Sequence, residues 1–345
     1  MIRVRGAGII GLTVADELLR RGHRVEVVDP DPGRGASYAA AGMLSPAGEL
    51  WYGESDLLRL GRRSARLWPA LAARLGVELR RGTLLAAVDH ADLQALERQL
   101  DLVARHGERP LPLTRRELLG HEPRLGRVSG GALLPEDHSV DPRAVLAALR
   151  RRIPVVSAPS ETAAEATVWA VGTRPPAAYR SLVRGVRGEI LRLRVGADDL
   201  PDRTLRGWVA GEQVYLVPRA GGELVLGATS GEYDAGPVVT VEGVARLLDS
   251  ARRLMPGLDR AELVEATARD RPGTADNLPL VGPGREGEVL AVGHFRHGVL
   301  LAPLTARLVA DHLETGYVEA ALDPRRFPAV PVAGAGAARH DEGER

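Results

Sequence analysis

The chain contains no cysteine. Disulfide frameworks and thiolate metal sites are therefore excluded, and so is a cofactor attached through a cysteinyl bond. No run of about 18 uncharged apolar residues occurs, so no segment is expected to span a membrane. Excess charge is also missing. The 46 basic residues are matched by 45 acidic ones, for a net charge of +1. No basic field therefore points to nucleic acid or to an anionic membrane surface. A cleavable leader is not expected either. The apolar N-terminal stretch begins at once and carries a glycine-rich turn where a cleavage site would fall. What remains is ordinary globular material, 44% hydrophobic and 26% charged. A length of 345 residues suits two domains. A cytoplasmic location is the expectation.

The fold class reads as α/β, with a Rossmann-like dinucleotide domain and an interleaved antiparallel-sheet α+β domain. Residues 1–6 read as a strand. Ile10, Val14 and Leu18 then recur at helical spacing, and residues 24–29 read as a second strand. A helical segment is expected over 56–75, a strand at 82–89, and helices at 92–106 and 143–151. Strands then follow one another at 188–195, 207–210, 213–218 and 223–228, a run that suits antiparallel pairing. Further elements are expected at 241–254 (helix), 262–269 and 289–293 (strands) and 300–313 (helix). The cofactor domain would comprise 1–76, 142–184 and 271–328. The substrate domain would comprise 77–141 and 185–270. Residues 329–345 read as a disordered tail.

Gly6-Ala7-Gly8-Ile9-Ile10-Gly11 fits the G-x-G-x-x-G fingerprint. Gly6 permits the tight turn out of the strand, Gly8 lets backbone approach a pyrophosphate, and Gly11 lets helix and strand pack closely. The helix that starts there points its N–H groups and positive dipole end at the phosphates. Asp29 ends the second strand, where its carboxylate can accept hydrogen bonds from ribose hydroxyls. The pattern alone leaves FAD and NAD both open. Arg5, just before Gly6, reads as a strand-end side chain reaching solvent.

Three more segments follow in order: Gly35-Ala36-Ser37-Tyr38-Ala39-Ala40-Ala41-Gly42-Met43-Leu44, then Arg271-Pro272-Gly273-Thr274, then Gly293-His294-Phe295-Arg296-His297-Gly298-Val299-Leu300 and onward to Pro303. Together with the fingerprint they resemble the D-amino-acid-oxidase-like flavoenzymes, and within them the glycine oxidases of thiamine biosynthesis. The resemblance runs from Ile2 to about Phe327. It implies non-covalent FAD, contacted by Gly8 to Ile10, Asp29, Ala36 and Ser37, Ala41 to Met43, and His294 to Leu300. Val155 is the match to a valine on the adenine side. The helix that begins near Gly298 would aim its N-terminus at the flavin and favour its negatively charged reduced form.

The resemblance also implies the substrate residues. Arg271 would clamp the substrate carboxylate through paired charge-assisted bonds. Tyr215 would help hold the same group, and Arg296 would be a second active-site arginine beside the flavin. Two positions depart from the family pattern. Ser230 stands in place of a larger apolar residue, and His297 in place of asparagine. His294 is read as a packing residue, because the family's chemistry requires no general base. The implied activity is oxidation of glycine, or another small amino acid, to an imine and then an oxo acid. Molecular oxygen would be the acceptor and hydrogen peroxide the by-product. A D-amino-acid or N-methyl-amino-acid oxidase or dehydrogenase of the same fold is the alternative. A homo-oligomer is implied as well.

Overall fold

The computed structural model describes residues 1–233 and 236–328. The expected tail at 329–345 lies outside the described residues. Two large sheets organise the molecule. The first has six strands in the order Leu280–Pro283, Glu288–Val292, Ala166–Trp169, Ile2–Arg5, Val25–Val28, Val155–Val156. Its pairings are parallel except between the first two. Such strands are covered on both faces and read as aliphatic runs. Val4 and Val168 are accordingly inaccessible to solvent, packed with Leu12, Val14 and Leu18 of the helix Ile9–Arg20 and with Leu308 and Val309 of the closing helix Gly298–Thr315. From Ile2–Arg5 the chain steps to Val25–Val28 on one side, while Ala166–Trp169 flanks it on the other. Ligands of open α/β sheets bind at the carboxyl ends of strands at such a switch of direction. The fingerprint begins there.

The second sheet has eight strands in the order Glu262–Gly273, Arg184–Arg194, Glu223–Gly227, Glu212–Pro218, Thr204–Val209, Thr83–Ala87, Gly130–Leu134, Leu111–Thr114. The run from residue 184 to 227 is antiparallel, as its alternation requires. A parallel pairing joins Thr204–Val209 to Thr83–Ala87. One face packs Leu191, Leu205, Leu216 and Leu226 against Leu247, Ala251 and Leu254 of the helix Val241–Leu254. A small third sheet, Met43–Leu44 with His138–Val140 and Leu79–Arg80, ties the second loop to the rest.

Several elements differ from the sequence reading for physical reasons. The segment expected as one helix over 56–75 is two, Ser55–Ala65 and Trp68–Leu75. Pro69 lies in the first turn of the second, where its missing N–H costs nothing. Leu111–Thr114 and Leu280–Pro283 contain Pro112 and Pro283, which hide strands from pattern reading. Both are edge strands, where proline is tolerated. Glu262–Gly273 runs past the expected end at 269 and so carries Arg271 on a strand. Arg5 does not simply reach solvent. It is half-buried, with its guanidinium 5.6 Å from the centre of the Trp169 ring. No helix among the described residues is long and apolar enough to cross a membrane.

Candidate functional site

At the dinucleotide end, the Asp29 carboxylate accepts hydrogen bonds from the N–H groups of Ala7 (2.8 Å) and Asp31 (3.0 Å). It thereby fixes the fingerprint turn to the end of the second strand. Gly6 has a φ of +102°, and a Cβ there would fall on the Ala170 carbonyl. A Cβ on Gly11 would fall on the Gly6 carbonyl. These two glycines are required by close approach of backbone to backbone. The Ile9 N–H donates to the Ser37 hydroxyl at 3.1 Å, which brings the second loop onto the first helix. The helices that start at residues 90, 142 and 241 are capped by Asp89, Asp141 and Thr240. The helices Ile9–Arg20 and Gly298–Thr315 have neither a side-chain cap nor an acidic residue in the first turn. Apart from the Ile9 N–H, which is taken by Ser37, their N-termini offer donors and positive dipole ends to an anion or electron-rich ring. Val155 is half-buried beside Val27, and the Val156 carbonyl accepts from the Asp29 N–H.

The second loop is pinned from several sides. Gly42 has a φ of +72°, and a Cβ there would meet the Val140 carbonyl. The buried Arg219 donates to the Ala41 carbonyl. Arg143 donates to the Tyr38 carbonyl at 3.0 Å, stacks on its ring and pairs with Glu265 of the second sheet at 2.7 Å. Asp137 accepts from the Ser45 hydroxyl and from the N–H groups of Gly48 (2.7 Å) and Ala47 (3.4 Å). Burial pushes the Asp137 carboxyl up to about 6 against those bonds.

Beyond Gly48 lies a charged cluster in which Glu49 meets Arg206 of the eight-stranded sheet and Arg296 of the closing turn. Arg271 donates to the carbonyls of Arg187 (3.2 Å) and Thr229 (3.3 Å) and ion-pairs with no carboxylate among the described residues. Its guanidinium lies flat over Gly188, where a Cβ would collide with it. The Tyr215 hydroxyl lies over Gly227 of the neighbouring strand in the same way. Burial pushes that hydroxyl's pKa up, and the adjacent Arg271 pulls against it. Arg206 faces Tyr215 across the strand pair, so both side chains share one face. The Glu49 carboxylate stands 3.3 Å from Arg206, 3.6 Å from Arg296 and 3.6 Å from His297 Nδ1. Arg296 also donates to Glu54 at 2.7 Å and to the Glu49 carbonyl at 3.2 Å. Burial alone would raise the Glu49 pKa, but Arg206, His297, Arg296 and Arg271 outweigh it and hold the group below the ordinary value.

The two histidines of the closing turn are neutral. His294 Nε2 meets the Thr305 hydroxyl at 2.9 Å, and burial drives the ring down to about 3. His297 accepts from Arg296 Nε at its Nε2, 3.1 Å away, so its proton sits on Nδ1 toward Glu49. Burial drives it too to about 3. Phe295 has a φ of +47° and Gly293 of +79°, which turns the chain sharply into the closing helix.

Comparison with known proteins bears on this arrangement. The DAO family, FAD dependent oxidoreductase, matches residues 2–312. The chain belongs to that family. A glycine oxidase of Geobacillus kaustophilus is 33% identical, over 91% of this chain and 92% of that protein. The putative thiamine biosynthesis oxidoreductase ThiO of Rhizobium etli is 36% identical, over 91% of this chain and 96% of that protein. The crystal structure of the Geobacillus kaustophilus glycine oxidase superposes with a TM-score of 0.83 at 32% identity, over 94% of this chain and 98% of that one.

The residues of this DAO-family enzyme fit FAD. The backbone cradle at Gly6 to Gly11, the acid at Asp29 and the two uncapped helix starts match a dinucleotide's phosphates, ribose and ring. Arg271 and Tyr215 are brought together, as are Arg296 and His297. The loop from Ala36 to Met43 lies against the fingerprint through Ser37. His294 is turned into the closing helix instead of facing the charged cluster. Ser230 is solvent-exposed. Sequence reading did not find Glu49, Glu54, Arg206, Arg219, Gly188 or Gly227. Glu49 had one local signal, a lone carboxylate at the end of the small-residue stretch 45–48. An open cleft of about 750 Å³ lined by His90, Arg115, Gly126, Arg127, Val128 and Ser129 lies toward the opposite edge of the eight-stranded sheet from Arg271.

Proposed function

We propose that this enzyme oxidises glycine, with Arg271 and Tyr215 as the carboxylate clamp, in supply of the thiazole moiety of thiamine. One observation carries the reading. Of the three guanidiniums clustered there, Arg271 is the one with no carboxylate partner among the described residues; it meets two backbone carbonyls and the hydroxyl of the buried Tyr215. A carboxylate added there gains charge-assisted bonds beside a buried hydroxyl. The glycine oxidase and ThiO relatives, each more than 30% identical over nine-tenths of the chain, support the same substrate class. FAD held without a covalent link, by the fingerprint, Asp29 and the two uncapped helix starts, would supply the two-electron oxidising power for the amino acid. The rest is the work of side chains. Arg271 and Tyr215 fix the acid group and so the direction of the Cα–H bond. The neutral His297 and the raised Tyr215 leave the cluster without a second titrating acid near pH 7. The uncapped start of Gly298–Thr315 would offer N–H donors and a positive dipole end to an electron-rich ring bound there.

The reading includes the site residues expected from sequence, the division into cofactor and substrate parts, oxygen as electron acceptor, a cytoplasmic location and a homo-oligomer. The two sheets with separate apolar cores support that division. The test is Arg271→Ala with steady-state oxidation of glycine followed by peroxide release. Loss of a bidentate charge-assisted pair, on the order of 3 kcal/mol, raises KM by about a hundredfold. A KM that barely moves overturns the carboxylate assignment. Dye reduction without peroxide overturns oxygen as acceptor.

A further inference from the structure

We propose that Glu49 is a positioning residue that masks Arg206 and Arg296, so that Arg271 is left as the single anion-binding position in the cluster and the amino acid binds one way round. The proposal rests on the reading of Arg271 as the carboxylate clamp.

Three guanidiniums surround one buried carboxylate, Glu49, and two of them, Arg206 and Arg271, also bear on Tyr215. Arg206 is 7% exposed, and Arg271 and Arg296 are half-buried. A substrate carboxylate arriving there has no intrinsic reason to choose among them. Glycine carries its acid and amine on one carbon, so shape cannot impose a direction. Charge can. Glu49 lies between Arg206 and Arg296, with one oxygen 3.3 Å from the first and the other 3.6 Å from the second. Glu54 adds a second acid to Arg296 at 2.7 Å. Arg206 has no such reserve. Among the described residues its remaining side-chain hydrogen-bond partner is the neutral Gln213 amide oxygen at 3.3 Å. Removing the Glu49 charge therefore exposes Arg206 as a second anion site on the same face as Tyr215. An unpaired, buried guanidinium is strongly attractive to any acid.

Glu49 is itself held by a dedicated support. Asp137 fixes the backbone at residues 47 and 48 and the Ser45 hydroxyl, and Gln99 donates to the Gly48 carbonyl at 2.9 Å. His297 presents its Nδ1 proton to the same Glu49 oxygen that faces Arg296. A carboxylate placed with this much reinforcement, and without contact to the Arg271 donors, acts on substrate through the other arginines.

The test titrates malonate, a small dianion, into the FAD-loaded enzyme and follows the visible flavin spectrum, which needs no turnover. In Glu49→Gln, malonate bridges Arg271 and the unmasked Arg206 and binds at least about tenfold more tightly than in the parent. Adding Arg206→Met to that variant returns the affinity to the parent value. With glycine, kcat and KM of Glu49→Gln fall together, the mark of a second, unproductive orientation. Should the glutamine variant not fold, Glu49→Asp withdraws the charge by one methylene, and malonate tightens by about threefold there. A parent spectrum that responds to malonate, with unchanged affinity in the Glu49 variants, overturns this inference and leaves the Arg271 clamp standing. No response in any of the proteins overturns the clamp and the inference with it.

Discussion

At the scale of the residue, the charged cluster is built by what two glycines leave out. Gly188 and Gly227 sit on adjacent pairs of the eight-stranded sheet, and each gives its space to a side chain from elsewhere, Arg271 and Tyr215 respectively. A strand glycine ordinarily weakens pairing, and it survives where another group must approach closely. Gly188→Ala tests this directly. Its Cβ would occupy the guanidinium's place, so Arg271 must lift away from the sheet. The expected outcome is a fall of at least about tenfold in kcat/KM for glycine, carried by KM, with the flavin-to-protein ratio unchanged. A variant with parental KM shows that Arg271 does not act from that seat. Glycines of this kind carry no turn signal, which is why sequence reading attended to those of the fingerprint instead.

At the scale of the element, the strand–helix–strand unit at the N-terminus depends on one carboxylate. Asp29 joins the end of Val25–Val28 to the turn that opens Ile9–Arg20. Asp29→Ala leaves the Ala7 N–H without its acceptor and removes the acid expected at the ribose. The affinity for FAD falls by at least about tenfold, read by fluorescence titration of the apoprotein. Parental affinity in that variant removes Asp29 from the cofactor site. This unit was legible in the sequence because its signals are local: three glycines, one helical period and an acid within about 30 residues. The elements that were missed have equally definite reasons. Leu111–Thr114 and Leu280–Pro283 are short and contain proline, and Met43–Leu44 is a strand only because residues 138 and 139 lie beside it. The charged cluster was the least legible part. Glu49 meets Arg206 across 157 positions, and Glu54 meets Arg296 across 242. No periodicity reports a contact of that range. Arg271, Tyr215 and Arg296 were singled out through family motifs, and Glu49, the carboxylate between Arg206 and Arg296, lies in none of those motifs and was not.

At the scale of the whole molecule, the buried ionisable groups set how stability depends on pH. His294 and His297 are each driven from 6.5 to about 3 by burial. A base with a depressed native pKa is uncharged in the fold and takes up a proton on unfolding. Its contribution is complete above pH 6.5 and is lost as pH falls toward 3. Asp137 acts the other way. Its carboxyl is raised from 3.8 to about 6, so the native state keeps a proton that the unfolded chain has shed, and stability falls as pH rises through that window. At about 1.4 kcal/mol per unit, either ring outweighs the single carboxyl. Half-buried His138, also pushed down by burial, adds to the rings. Toward pH 5 the unfolded chain's glutamates, ordinarily near 4.5, begin to protonate while their depressed native counterparts do not, and this adds to the same decline. The melting temperature therefore declines steadily as pH is lowered from 6.5 to 5. His297→Asn, whose amide cannot take up a proton, loses a large part of that decline, because one of two strongly depressed rings is gone while Asp137 still opposes the other. Scanning calorimetry of the FAD-free proteins across the window measures it. A variant that keeps the parental slope shows that the His297 ring is not held neutral by the fold.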